Sequence, residues 1–131
     1  MPIEKQLSIF MENKPGRLSH ICNALADAGI NIHAMSVHDT MDHAIVRLLV
    51  DDPNKALILL EEDGVYIVSQ EVVVLQTENK PGIIASVAQK LFRADINIEY
   101  AYCTATKNQD LGCLVIKTKD AEQTLEILEE L

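Results

Sequence analysis

The sequence predicts an α+β chain made of two βαββαβ modules. Three observations carry that expectation: an internal repeat, a change of hydrophobic period from two to 3.6 within each copy, and turn residues wherever the period changes. Glu12-Asn13-Lys14-Pro15-Gly16 recurs unchanged as Glu78-Asn79-Lys80-Pro81-Gly82, a displacement of 66 positions. The same displacement carries Leu25 to Leu91, Ala28 to Ala94, and Ile30-Asn31-Ile32 to Ile96-Asn97-Ile98. The 131 residues are therefore expected to divide into a module at 1–70 and a second at 71–131.

In the first copy Leu7, Ile9 and Met11 alternate with Gln6, Ser8 and Phe10, a strand with one face committed to a core. After the Asn13–Gly16 turn, Leu18, Ile21, Cys22, Leu25 and Ala28 fall at helical spacing, and Gly29 suits the left-handed end of such a helix. Ile30–Val37 and Ala44–Val50 read as strands around a polar hairpin loop at His38–His43. Asp52 caps a second helix with Pro53 in its first turn, Ala56–Glu62 carries it, and Gly64 stops it. Val65–Val68 is the last strand.

The second copy repeats the order with a strand at Val72–Leu75 and a helix bearing Ile84, Val87, Ala88 and Leu91. Strands at Ile96–Thr104 and Leu111–Lys117 follow, and a helix begins after Asp120. Its Leu125 and Leu128 should face inward, and Glu122, Glu126, Glu129 and Glu130 outward. The counterpart of the last strand would begin near residue 130, so the second copy is expected to lack it. The order gives the ferredoxin-like arrangement, antiparallel sheets with helices on one face. The absent strand leaves an edge open to another chain, and a homodimer is expected.

Composition narrows the function. Twenty Asp and Glu against 11 Lys and Arg give a net charge of -9, and no Trp, two Phe and three Tyr leave few platforms for bases, so nucleic acid is not an expected partner. No secretory signal is expected, because Met1–Lys5 is not a basic segment leading into an apolar stretch; no apolar run reaches membrane length, and the cysteines, Cys22, Cys103 and Cys113, are odd in number without a CxxC pair. A cytoplasmic location is expected, with no membrane partner.

The Asn-Lys-Pro-Gly turns hold the richest chemistry. Each stands where a strand hands over to a helix, so free N–H groups and the positive end of the helix dipole converge on the space above it, a place that favours an anion. Asn13 and Asn79 offer donor and acceptor, and Gly16 and Gly82 give a ligand access to the backbone. A plain turn with a helix-capping Asn is the competing reading. Asn-x-Pro-Gly after a first strand, an amphipathic helix, then Gly29-Ile30-Asn31-Ile32 into a second strand together resemble the ACT domain, a regulatory module of amino-acid metabolism, in two tandem copies.

The resemblance implies a free amino acid or similar small carboxylate bound between neighbouring modules. The turn would meet the ligand's carboxylate or amino group, and the second-strand residues of the adjoining module would close the site. Carried onto this sequence, the ligand-binding positions are Asn13, Pro15, Gly16, Leu18, Asn31 and Ile32, with Asn79, Pro81, Gly82, Ile84, Asn97 and Ile98 in the second copy. Met11 and Thr77 stand where some members carry His, so side-chain preference does not transfer. Asp95 replaces Gly29 and makes the copies unequal.

Other clusters are weaker. His38, Asp39, Asp42 and His43, with His33 nearby, are better read as a solvated acidic loop than as a metal site, and no cofactor is expected. Cys103 and Cys113 are equidistant from Asn108, so a hairpin centred there would oppose them, as buried thiols or as a redox pair. No nucleophile with a base and no phosphate-binding glycine motif is present, so the chain is not expected to be an enzyme. The expected function is a small amino-acid-binding regulatory protein, an allosteric sensor with about 1 µM or weaker affinity, acting on an enzyme or transporter of amino-acid metabolism. The alternative is a constitutive dimerisation or interaction subunit without ligand.

Overall fold

The computed structural model describes residues 2–129. The chain divides into two compact units, Lys5–Gln70 and a second that joins residues 2–4 to residues 71–129.

In the first unit, β1 (Ile3–Glu12, from Lys5 onward), α1 (Arg17–Asp27), β2 (Ile32–Asp39), β3 (His43–Val50), α2 (Pro53–Glu62) and the opening of β4 (Tyr66–Glu78) follow in order. The strands run β2-β3-β1, each pair antiparallel. Leu7 pairs with Leu48, Ile9 with Val46 and Met11 with Ala44, which places the apolar alternates of both strands on one face. Ile21 and Leu25 of α1 and Ala56 and Leu60 of α2 join the same core, so both helices cover that face. Asp52 caps α2 as expected, Oδ1 accepting from the Lys55 N–H at 3.1 Å. Only residues 40–42 separate β2 from β3, because the Thr40 hydroxyl donates to the His43 carbonyl at 2.7 Å and closes a tighter hairpin than expected.

The second unit contains the remainder of β4, α3 (Ile83–Arg93), β5 (Tyr100–Thr104), β6 (Leu111–Lys117) and α4 (Ala121–Glu129), with antiparallel strands in the order β4-β6-β5. Val87 and Leu91 of α3, Leu114 and Ile116 of β6, and Leu128 of α4 form its core. Leu125 is only half-buried, and Thr124 takes the inward place one turn before Leu128. Its hydroxyl lies 2.6 Å from that of Thr118 and 2.9 Å from the Asp120 carbonyl, which allows a polar group to be buried there. Glu122, Glu126 and Glu129 are exposed. Glu130, and the position near it where the strand expected to be absent would have begun, lie outside the described residues.

Two expectations are revised. The last strand of copy one and the first of copy two are one 13-residue strand, because Ser69-Gln70-Glu71 holds no Gly or Pro to break it. The β4 edge of the second unit is not bare along its length, because residues 2–4 belong to that unit and the Val74 N–H donates to the Pro2 carbonyl at 2.6 Å. Among the described residues no helix is long and apolar enough to cross a membrane.

Three helices end in the same way. At α1 the Ile30 N–H reaches back to the Leu25 carbonyl at 2.9 Å and the Gly29 N–H to Ala26 at 3.0 Å, the paired bonds of a Schellman motif. Ile96 to Leu91 and Asp95 to Phe92 repeat it at α3, and Val65 to Leu60 with Gly64 to Glu61 at α2. The residues that reverse the chain have φ of 75° at Gly29, 79° at Gly64 and 59° at Asp95. Nothing lies within 4 Å of a Cβ added at Gly29, so the demand there is conformational, not steric. Gly29→Ala should lower the unfolding free energy by about 1–2 kcal/mol in urea denaturation, and Gly29→Asn by less, because Asn visits the left-handed region more readily.

Candidate functional site

Both strand-to-helix turns have the same backbone. Gly16 and Gly82 stand at φ 86° and 92°, immediately before α1 and α3. The first helical bonds run from His20 N–H to the Gly16 carbonyl and from Ser86 N–H to the Gly82 carbonyl, each 2.9 Å. Neither helix start has a side-chain cap; the Arg17 and Ile83 N–H groups bond back to the Lys14 and Lys80 carbonyls at 3.3 and 3.4 Å, which leaves the next N–H groups of each first turn for the space above it. An anion there gains about 0.3–1 kcal/mol from the dipole.

The two Asn side chains, expected to meet a ligand, hold the turns in place. Asn13 Nδ2 donates to Asp39 Oδ1 at 2.5 Å, fastening the first turn to the end of β2. Asn79 Nδ2 donates to the carbonyls of Thr106 and Gln109 at 3.1 and 2.9 Å, and its backbone N–H to the Asp110 carbonyl at 2.8 Å. Each amide thus clamps a strand–helix turn against the neighbouring hairpin. Pro15, Gly16, Pro81 and Gly82 are exposed, Leu18 packs against the core of its unit, and Ile84 is 48 % exposed.

Asn31 and Ile32 lie past the other end of α1, as Asn97 and Ile98 do for α3. An 11-residue helix is about 16 Å long, so neither unit by itself brings its turn and its second-strand residues together. The Asn31 backbone makes two bonds to Asp51, its N–H donating to the carboxylate Oδ1 and its carbonyl accepting from the Asp51 N–H, both at 3.1 Å. Ile32 and Ile98 pack against their cores, and Asn97 is exposed.

A pocket of about 460 Å³ opens beside the first turn, within the first unit. Phe10, Glu12, Arg17, His20, Asp63 and Tyr66 contribute to its wall. His20 Nε2 lies 2.6 Å from Asp63 Oδ2, joining α1 to the residue that ends α2. The Phe10 and Tyr66 rings meet edge to face with centroids 5.4 Å apart. Glu12 pairs with Lys14 at 2.7 Å and more loosely with Arg17 at 3.9 Å. The Lys14 hydrogen bond and charge, and then Arg17, hold its carboxyl below the usual glutamate range. These residues come from several elements and form no motif in the sequence. The signal in the sequence is that Phe10, Arg17, His20 and His43 do not recur in the second copy.

The second unit has a pocket of about 410 Å³ lined by Gln76, Thr104, Thr106, Leu111 and Cys113. Cys103 pairs with Leu114 and Thr104 with Cys113, one position away from the register the sequence suggested. A one-residue change reverses the face, so the two cysteines sit on opposite sides of the sheet and do not oppose each other. All three cysteines are free, and burial pushes the Cys113 thiol up, with Glu4 and Cys103 adding to the effect. His38 and Asp39 belong to β2 and His43 to β3, and among the described residues no three of His, Cys, Asp or Glu are grouped to hold a metal ion.

A family model described as an ACT domain pair matches residues 1–130. The chain belongs to this family. No curated protein matches it. Among solved structures, this ACT domain pair is similar to protein BT0572 from Bacteroides thetaiotaomicron, with 35 % identity over 98 % of this chain and 88 % of that one and a TM-score of 0.91. The ligand-free regulatory subunit of aspartate kinase from Thermus thermophilus shares the fold at 18 % identity, over 99 % of this chain and 97 % of that one, TM-score 0.73. Aspartokinase alpha and beta subunits share it at 21 %, over 99 % and 96 %, TM-score 0.61.

Asn79→Ala should free the carbonyls of Thr106 and Gln109 and raise amide hydrogen exchange in the β5–β6 hairpin, with a stability loss of about 1–2 kcal/mol. In an NMR titration the Glu12 carboxyl should titrate below its unfolded-state value and move back up in Lys14→Met. Because the folded pKa is the lower one, the pairing's contribution to stability is present above the unfolded value and is lost as pH falls through the folded one.

Proposed function

We propose that the chain is a cytoplasmic, non-catalytic regulatory protein that binds a free amino acid or similar small carboxylate where ACT modules meet. One observation carries the reading: in a member of the ACT domain pair family, two Pro-Gly turns present uncapped helix starts, while the second-strand residues lie a helix length away. A ligand held by both elements needs two modules, so its binding couples to how modules or chains associate. Asn13, Pro15, Gly16 and Leu18 with Asn31 and Ile32, and Asn79, Pro81, Gly82 and Ile84 with Asn97 and Ile98, are the proposed contacts. The Asn clamps pre-form the turns and lower the cost of ordering them on binding.

The proposed output is an enzyme or transporter of amino-acid metabolism, with a homodimer as the working assembly. Nucleic acid and membrane are not proposed partners. The second reading, a constitutive dimerisation or interaction subunit, is favoured by the Asn side chains themselves, which have partners inside the chain. Thermal unfolding against the twenty amino acids separates the two. A saturable rise in Tm with one or a few ligands, with light scattering showing a ligand-dependent change of association, is the expected outcome. A flat panel with an unchanging dimer would establish the second reading.

A further inference from the structure

The helices that follow the two Pro-Gly turns occupy equivalent places but show solvent different faces. In α1 the exposed residues are Arg17, Ser19, His20, Asn23, Ala26 and Asp27, all but one of them polar. In α3 the exposed face includes Ile84, Ala85, Ala88 and Phe92. Phe92 is 81 % exposed and stands where α1 has Ala26. Since α1 folds and packs without such a face, the fold of the module does not demand it.

Ile84, Ala88 and Phe92 are spaced four residues apart and form one stripe along the helix. Ala88 is the midpoint of that stripe and also of the 11-residue helix Ile83–Arg93. The stripe therefore reads large, small, large from either end and fits an antiparallel copy of itself. Phe92 then lies on Ile84 of the partner subunit, and the small Ala88 lets the two backbones approach at the axis. Charge fits the same arrangement. Lys90 and Arg93 stand about 160° and 140° round the helix from Ala88, away from the contact. Antiparallel helices set each negative end beside a positive one, and Asp95, exposed just beyond the end of α3, comes level with the uncapped start of the other helix.

We infer that two copies of the chain associate through their second modules, α3 packing antiparallel on α3 about a two-fold axis at Ala88. The contact adjoins the second turn, where Ile84 is a proposed ligand contact. Helices flush at both ends also bring Asn97 and Ile98 of the partner subunit to the level of the Pro81-Gly82 turn, joining the two halves that a single module keeps a helix length apart. The inference rests on the homodimer of the proposed function and specifies its contact. It adds that the partner supplies Phe92 beside the second-copy site, and that the polar face of α1 gives the first copy no equivalent.

Sedimentation velocity of the full chain over a concentration series tests it. Three turns of helix make a small interface, so a dimer that dissociates at about 10 µM is expected. Phe92→Glu should weaken association about tenfold or more, and because the side chain is exposed it should leave the Tm of the dilute, dissociated protein unchanged. Ala26→Glu, at the matching position of α1, should leave association as it is. Ala88→Cys should form, on mild oxidation, a disulfide between the two residues 88, identified by peptide mass spectrometry apart from the native cysteines. A dimer that survives Phe92→Glu and gives no 88-to-88 link would overturn the inference and leave the homodimer standing. Loss of the dimer in Phe92→Glu without that link would set α3 against another element and overturn the two-fold arrangement. A chain that stays monomeric at every concentration would remove both the inference and the homodimer.

Discussion

The reversal at the end of α1, α2 and α3 depends in each case on one residue held at positive φ. The N–H groups that follow satisfy the last helical carbonyls, and the next side chain is turned straight into the core. Ile30 is 5 % exposed because Gly29 permits that turn, and Ile96 packs on the second core behind Asp95 in the same way. If these residues were forced out of the left-handed region, the helices could still form, but the strands that follow would leave the sheet in another direction. The repeated Ile-Asn-Ile thus has a structural cause before it has a functional one. Its first Ile belongs to the helix end, its last to the core, and only the Asn between them is left exposed to meet anything else.

The strand-to-helix turns have a comparable rigidity from a different source. A glycine at positive φ opens the helix start, and an Asn amide fastens the turn to a hairpin contributed by the same unit. The N–H groups left over are therefore oriented before any ligand arrives. The pockets of the two units differ, one charged and aromatic beside the first turn, the other lined by threonine, glutamine and cysteine at β4, β5 and β6. Duplication preserved the backbone device and let the side chains around it diverge.

Much of this was legible in the residues. Two modules, the helices, the Asp52 cap and the left-handed Gly29 followed from periodicity and turn chemistry, which act over a few neighbouring positions. The continuous β4 was missed because a polar Ser-Gln-Glu segment suits an exposed strand as well as a loop. The cysteine register was missed because hairpin symmetry cannot be counted to within one residue when the loop contains Asn108 at φ 115°. At the candidate site the turns were located correctly, but the partners of Asn13 and Asn79 lie 26 to 30 positions away, and no local pattern reports them. The pocket was invisible for the same reason: β1, α1, β3 and the α2–β4 connection each supply a part of it.

Residues 2–4 bring a long-range dependence into an otherwise local design. β1 begins with Ile3, yet its opening residues group with 71–129, and the Pro2 carbonyl is paired with Val74. On the ribosome the earliest part of the strand must wait for the second half of the chain to be made before that pairing can form, whereas the rest of β1 can complete its pairing with β3 much sooner. Such contacts between distant positions carry the largest loop-closure cost and slow folding. The first module can thus collapse before residues 2–4 find their place, and that short segment is among the last to settle.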